Sequence, residues 1–212
     1  CGCHTTVALR DPPIGAYLEV LRQEIEAVAA HLRRPLDVRH VHFGGGTPTI
    51  LAPADFVALV ALLRDRFALH RDAEIAVEID PRHLAPAMIE ALREAGVNRA
   101  SLGVQSFDPE VQRAINRVQG AGQTAAVITQ LREAGIGGIN LDLIYGLPRQ
   151  STASCIETVN QCLAMEPDRF SIFGYAHVPD FKKHQQRIAL ADLPDGGARH
   201  EQAEAMAQRL VD

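Results

Sequence analysis

A chain of 212 residues with 47% hydrophobic content can bury a sizeable core, which excludes a disordered segment. The net charge of −5 and the scatter of Lys and Arg along the chain leave no basic patch, so neither nucleic acid nor an anionic membrane is an expected partner. The longest apolar run, "FVALVALL" at 56–63, is too short to cross a bilayer and no signal peptide is apparent, so the expectation is a cytoplasmic protein acting on small molecules.

The first residues, "CGCHTT", carry Cys1 and Cys3 one residue apart, a spacing that in a reducing compartment points to a metal or redox site and not to a disulfide framework. Leu18, Leu21, Ile25, Val28 and Leu32 recur at intervals of three and four, predicting an amphipathic helix over 15–33 with Pro12 and Pro13 just before it. "VRHVHF" reads as a strand, "PADFVALVALLRDRF" as a helix and "EIAVEID" as a second strand. Three more strands, "RASLGVQS", "GINLDLIYG" and "RFSIFGYAH", follow between helical stretches. Cys155 and Cys162 lie seven apart on one of those helices and read as buried small hydrophobes. The chain closes in the helical pattern "EQAEAMAQRLVD" without a Gly or Pro stop. With a cysteine motif at its first residue, it reads as a portion of a longer protein, one partial domain over 1–212.

Five strands alternating with helices imply parallel pairing through right-handed crossovers, in an open doubly wound sheet or a (β/α) barrel. Gly and Pro cluster after the strand ends in "GGGTPT", "DPRHLAP" and "YGLPRQ", so function is expected at the carboxyl ends of the strands. Side chains alternate faces along a strand. Ile75, Val77 and Ile79 share one phase, as do Ala100, Leu102 and Val104, and Ile139, Leu141 and Leu143. The opposite phase carries His42, Glu78, Gln105 and Asp142 near the strand ends. A parallel sheet with both faces covered would be nearly all apolar, so four such residues read as a polar, ligand-binding interior, with a solvated sheet face as the bland reading. Buried carboxylates need donors, so Glu78 and Asp142 are expected to meet ammonium or hydroxyl groups. The three glycines after the first strand let backbone approach a ligand closely, though they match neither a Walker loop nor a dinucleotide fingerprint. Arg117, in "AINRVQ", is expected on the helix after the Gln105 strand, as a surface residue or a ligand contact.

Taken together, "CGC", "HFGGGTPT", "VEIDPR", "LGVQSFDPEVQRAINR", "NLDLIYGLPRQ" and "FGYAHVP" resemble the oxygen-independent coproporphyrinogen III oxidases of the radical S-adenosylmethionine (SAM) enzymes, in order and spacing, across the whole chain. The resemblance implies an incomplete (β/α)6 radical SAM barrel with strands two to six present here. It implies a 4Fe-4S cluster held by three cysteines of C-x-x-x-C-x-x-C-x-C, whose fourth coordination site is left to SAM. Cys1 matches the third cysteine, a ligand, and Cys3 the fourth, which is not one; the first two would lie upstream, and the chain as it stands is expected to be inactive. Carried over by position, Gly45 and Glu78 match contacts to the SAM at the cluster. Gly46, Thr47, Gln105, Arg117, Asp142 and Ala176 match contacts to a second SAM. His42 falls outside that set and is expected to be a packing residue. No catalytic side chain is named.

The activity implied is oxidoreductase chemistry of haem and porphyrin biosynthesis. The reduced cluster gives an electron to SAM, and the resulting 5'-deoxyadenosyl radical takes a hydrogen atom from a propionate of coproporphyrinogen III. Loss of CO2 and an electron leaves a vinyl group, and two propionates react to give protoporphyrinogen IX. The implied reaction also draws on an electron donor as a partner. A paralogous haem chaperone is the nearest alternative, but that group usually has Asp-Phe after the third cluster cysteine and an Asn-Pro ending where "GC" and "EIDPR" stand here. A cluster-free (β/α) barrel lyase or isomerase would leave "CGC" unexplained, and a pure SAM-binding module stays open for the piece alone.

Overall fold

The structure, a computed structural model, describes residues 12–34 and 36–211, so Cys1 and Cys3 lie outside the described residues. In chain order its elements are α1 (Pro12–His31), β1 (Asp37–Phe43), α2 (Pro53–Arg66), β2 (Ala68–Ile79), α3 (Pro86–Glu94), β3 (Arg99–Gln105), α4 (Pro109–Ala114), α5 (Ala121–Glu133), β4 (Gly138–Tyr145), α6 (Thr152–Leu163), β5 (Arg169–Gly174) and α7 (Gly196–Val211). Short 3-10 turns cover Pro48–Ile50, Lys183–Arg187 and Leu190–Asp192. The strands form one sheet in the order β1-β2-β3-β4-β5. By packing, the chain divides into two compact units: residues up to Ser101 with Gln130–Gly138, and Leu102–Thr129 with the chain from Ile139 onward.

In the first unit β1 and β2 pair parallel, Val41 opposite Ile75 and Phe43 opposite Val77, with a register shift between Val38 and His40. β2 reaches back to Ala68, further than its sequence pattern predicts, because Ala68 N–H donates to Leu36 O at 2.9 Å and extends the ladder. Ile75, Val77 and Ile79 are buried with Phe56, Leu59 and Val60 of α2 and Met88, Ile89 and Leu92 of α3. Each such side chain contributes about 1.5–3 kcal/mol by leaving water. Asn98 locks the start of β3 to β2: its amide donates to Ala73 O at 2.9 Å and accepts from Ile75 N–H at 2.9 Å. α1 begins at Pro12, so the two prolines occupy its first turn, where a missing N–H leaves nothing unsatisfied. Of its predicted apolar stripe only Leu18 is fully buried, and Val28 is exposed.

In the second unit β4 and β5 pair parallel with Asp142 opposite Ser171. Ile139, Leu141 and Leu143 are fully buried, as are Leu102, Ile128, Cys155, Val159 and Cys162. Both cysteines are buried, as the sequence predicts, and that burial pushes their thiols up to about 12. α4 is capped by Asp108, whose carboxylate accepts from the Glu110 and Val111 N–H groups at 2.8 and 3.0 Å. It ends early. Asn116 takes φ +53°, and Arg117 N–H closes back on Gln112 O at 2.8 Å, a left-handed helix stop. Arg117 therefore lies in the turn after the helix and not on it, correcting the sequence expectation.

Candidate functional site

The residues singled out by sequence fall into two clusters, one in each unit. In the first, the chain leaves β1 through Gly44, Gly45 and Gly46, and Glu78 stands near the carboxyl end of β2. Gly45 N–H donates to Glu78 Oε2 at 3.0 Å, and His42 Nε2 lies 3.4 Å from Oε1. Gly45 has φ +76°, a left-handed conformation that favours glycine. Gly44 answers a different need: a Cβ there would stand 2.7 Å from His42 Nε2 and 2.9 Å from Glu78 Oε1. The glycines thus bring bare backbone against a carboxylate whose side chain is 41% exposed. An ionised carboxylate has about four acceptor positions, and the two contacts leave capacity for a ligand's donor. Gly46 continues the left-handed turn, and Thr47 closes it, its carbonyl accepting from Ile50 N–H at 3.0 Å. His42 is a correction: its side chain is 56% exposed and faces Glu78, so it is not a packing residue. Its polar phase on β1 was the signal.

Two residues beyond Glu78, Asp80 fixes the turn after β2. Its carboxylate accepts from Arg82 Nε at 2.9 Å and from Arg82 N–H at 3.1 Å, and that hydrogen bonding holds the Arg82 guanidinium above its usual range.

In the second cluster Gln105, the last residue of β3, has φ +67°, a strained value for a side chain with a Cβ. The Arg117 guanidinium donates to Gly103 O at 2.7 Å. A Cβ at Gly103 would stand 2.9 Å from Gln105 Nε2 and 3.1 Å from Arg117, so the glycine is what lets the amide and the guanidinium converge. Asp142 accepts from Asn140 Nδ2 at 2.8 Å, and Asn140 Oδ1 accepts from Ser171 Oγ at 3.2 Å, a relay across the β4–β5 pair. Ala176 follows β5. Gln185 Nε2 donates to its carbonyl at 3.0 Å while Gln185 Oε1 accepts from Val178 N–H at 2.6 Å, bracing the loop from inside. Gln185, Asn140 and Gly103 are not singled out by the sequence: Gln185 sits in a short 3-10 turn without apolar period, and the others act through neighbours. Burial raises the Tyr175 hydroxyl above its usual range.

A glycine-bracketed carboxylate at one strand end and a convergent amide and guanidinium at another form a pattern that comparison resolves. The sequence model of the Radical SAM superfamily matches residues 1–162. The chain belongs to the radical SAM superfamily. It is 62% identical over 210 residues to the "Oxygen-independent coproporphyrinogen III oxidase" of Bradyrhizobium diazoefficiens, covering 99% of this chain and 47% of that protein. It is 54% identical over 189 residues to the uncharacterized protein y4hJ of Sinorhizobium fredii, covering 89% of this chain and 73% of that one. Among solved structures, the radical SAM enzyme coproporphyrinogen III oxidase (HemN) from Escherichia coli superposes with a TM-score of 0.91 at 39% identity, over 100% of this chain and 48% of that chain. The chain thus spans about half the length of these two oxidases. The fold expected from sequence, part of a (β/α)6 radical SAM barrel, is borne out by the family match and by this superposition. Glu78 and Gln105 stand at the carboxyl ends of β2 and β3, whereas Asp142 lies within β4.

Proposed function

We propose that this chain is the core of a cytoplasmic oxygen-independent coproporphyrinogen III oxidase, which oxidatively decarboxylates two propionates of coproporphyrinogen III to the vinyl groups of protoporphyrinogen IX. The observation that carries it is Glu78, an accessible carboxylate held by Gly45 N–H and packed so close to Gly44 that a Cβ there would have to push it aside. Identity of 62% over nearly the whole chain to a protein named for that activity supports the substrate. Among the described residues no helix is long and apolar enough to cross a membrane.

The residues present fit SAM. Its ammonium suits the Glu78 carboxylate, and the open backbone at Gly45 and Gly46 suits close approach of a ligand. Gln105 and Arg117 supply donors for a carboxylate or ribose of a second SAM, Asp142 an acceptor for a hydroxyl, and Ala176 a backbone contact. Cys1 would hold the 4Fe-4S cluster with two further cysteines. When bound, SAM and the reduced cluster supply abstraction of a hydrogen atom from the substrate propionate. What this chain's residues contribute is orientation. Glu78 fixes the amino end of the ligand, and the loop braced by Gln185 holds the surface beside Ala176 in place.

The test takes the protein that carries this chain, reconstituted anaerobically with iron and sulfide and supplied with SAM, a reductant and coproporphyrinogen III. Protoporphyrinogen with release of 5'-deoxyadenosine is expected. SAM cleavage without decarboxylation would move the protein to the haem-chaperone relatives.

A further inference from the structure

In the second unit the end of α4 and the segments following β4 and β5 meet around a cavity of about 250 Å3 lined by Arg113, Ala114, Arg149, Arg187, Pro148, Ile188 and Asp192. None of these residues belongs to either cluster described above. The lining sets three guanidinium groups against one carboxylate. Arg149 pairs with Asp192 at 3.4 Å and approaches Glu110 at 3.8 Å, and Arg113 pairs with Glu110 within the same helix turn. Arg187 has no carboxylate partner among the described residues.

The cavity's frame is tied together by hydrogen bonds. Arg149 has φ +61°, unusual for an L side chain, and is held there by its N–H donating to Asp192 O at 2.7 Å. Behind it, Gln150 Oε1 accepts from Leu147 N–H and Gln150 Nε2 donates to Ile144 O, each at 2.9 Å. Gln202 of α7 closes the network, donating to Gln150 O and accepting from Gly146 N–H, again at 2.9 Å. Both glutamines are buried. These bonds fix the backbone that carries Arg149, while its side chain stays 51% exposed.

Size and charge decide the ligand. The volume lies below the roughly 300–1,000 Å3 that encloses a drug-sized molecule, so the cavity takes an arm of a ligand and not its body. Arginine forks recognise carboxylate and phosphate in bidentate geometry. We propose that Arg187, with Arg113 and Arg149, forms a carboxylate-docking site for the propionates of the tetrapyrrole that do not react, and that it thereby positions the macrocycle. This rests on the reading given under Proposed function, which supplies a substrate with four propionates.

The test titrates coproporphyrin III, the fluorescent oxidised form bearing the same four propionates, and its neutral tetramethyl ester into the protein that carries this chain, loaded with cluster and SAM. Arg187→Ala is expected to weaken coproporphyrin III binding about tenfold and leave ester binding unchanged, with Arg187→Lys between. Arg93→Ala on α3, an exposed arginine of the other unit, controls for net charge and is expected to change neither. Thermal melting confirms that the exposed Arg187 variants fold. Equal binding of acid and ester by the unsubstituted protein, or unchanged acid binding in Arg187→Ala, overturns the proposal. Loss of acid binding in Arg187→Ala in a protein that never decarboxylates coproporphyrinogen III would uphold the docking site and overturn the oxidase reading alone.

Discussion

At Gly44 the missing side chain is what holds the cluster together. Because a Cβ there meets only the tips of His42 and Glu78, both free to swing, Gly44→Ala should leave thermal stability within about 1 kcal/mol of the parent. The same swing takes the carboxylate from Gly45 N–H, so SAM affinity by calorimetry should fall about tenfold. His42 sits on the other oxygen. Its contact of 3.4 Å is long, so its part is to orient Glu78 and not to carry binding alone. His42→Ala is expected to weaken SAM binding about threefold, and His42→Gln, whose amide reaches the place of Nε2, to keep it within about twofold. Identical affinities in both variants and the parent would make His42 a bystander.

Among the elements, α4 and α6 carry the clearest consequences. α4 stops where Asn116 turns left-handed, and that stop delivers Arg117 to Gly103 O. Asn116→Val should cost about 1–2 kcal/mol, read from chemical unfolding, while Asn116→Gly should be nearly neutral. Loss of Gln105–Arg117 convergence should accompany the Val variant only. α6 buries Cys155 and Cys162 with thiols raised from 9.0 to about 12. Unfolding returns them to the ordinary value, so above pH about 9 the unfolded state binds fewer protons than the folded one and stability falls as pH rises towards about 12. Below pH about 9 the contribution is intact. The Cys155→Ala, Cys162→Ala double variant should show a flatter decline of the urea midpoint between pH about 9 and about 11 than the parent.

For the molecule as a whole, the cofactor assignment turns on the first residues. Cys1→Ala in the protein that carries this chain should lose its iron, and Cys3→Ser should keep it; a full iron complement in the first would refute the ligand assignment. Much of this organisation is legible in sequence. The strands declare themselves because Ile75, Val77, Ile79 and Ile139, Leu141, Leu143 are single-phase aliphatic runs, and that same phase isolates Glu78, Gln105 and Asp142. What escapes is set by single backbone angles or by loops far apart in the chain. Asn116 ends a helix that its neighbours would continue, since one residue in a left-handed conformation leaves no periodic trace. The cavity around Arg187 draws on the end of α4 and two later segments, so no local pattern announces it. The sheet order has a further consequence. Every strand lies beside the next strand in the chain, so each meets its partner after one intervening helical crossover. At roughly 5–20 residues per second of synthesis, a crossover of this kind emerges from the ribosome in a matter of seconds. The barrel segment can therefore be laid down in order while translation is still under way, each new strand adding to an edge that is already waiting.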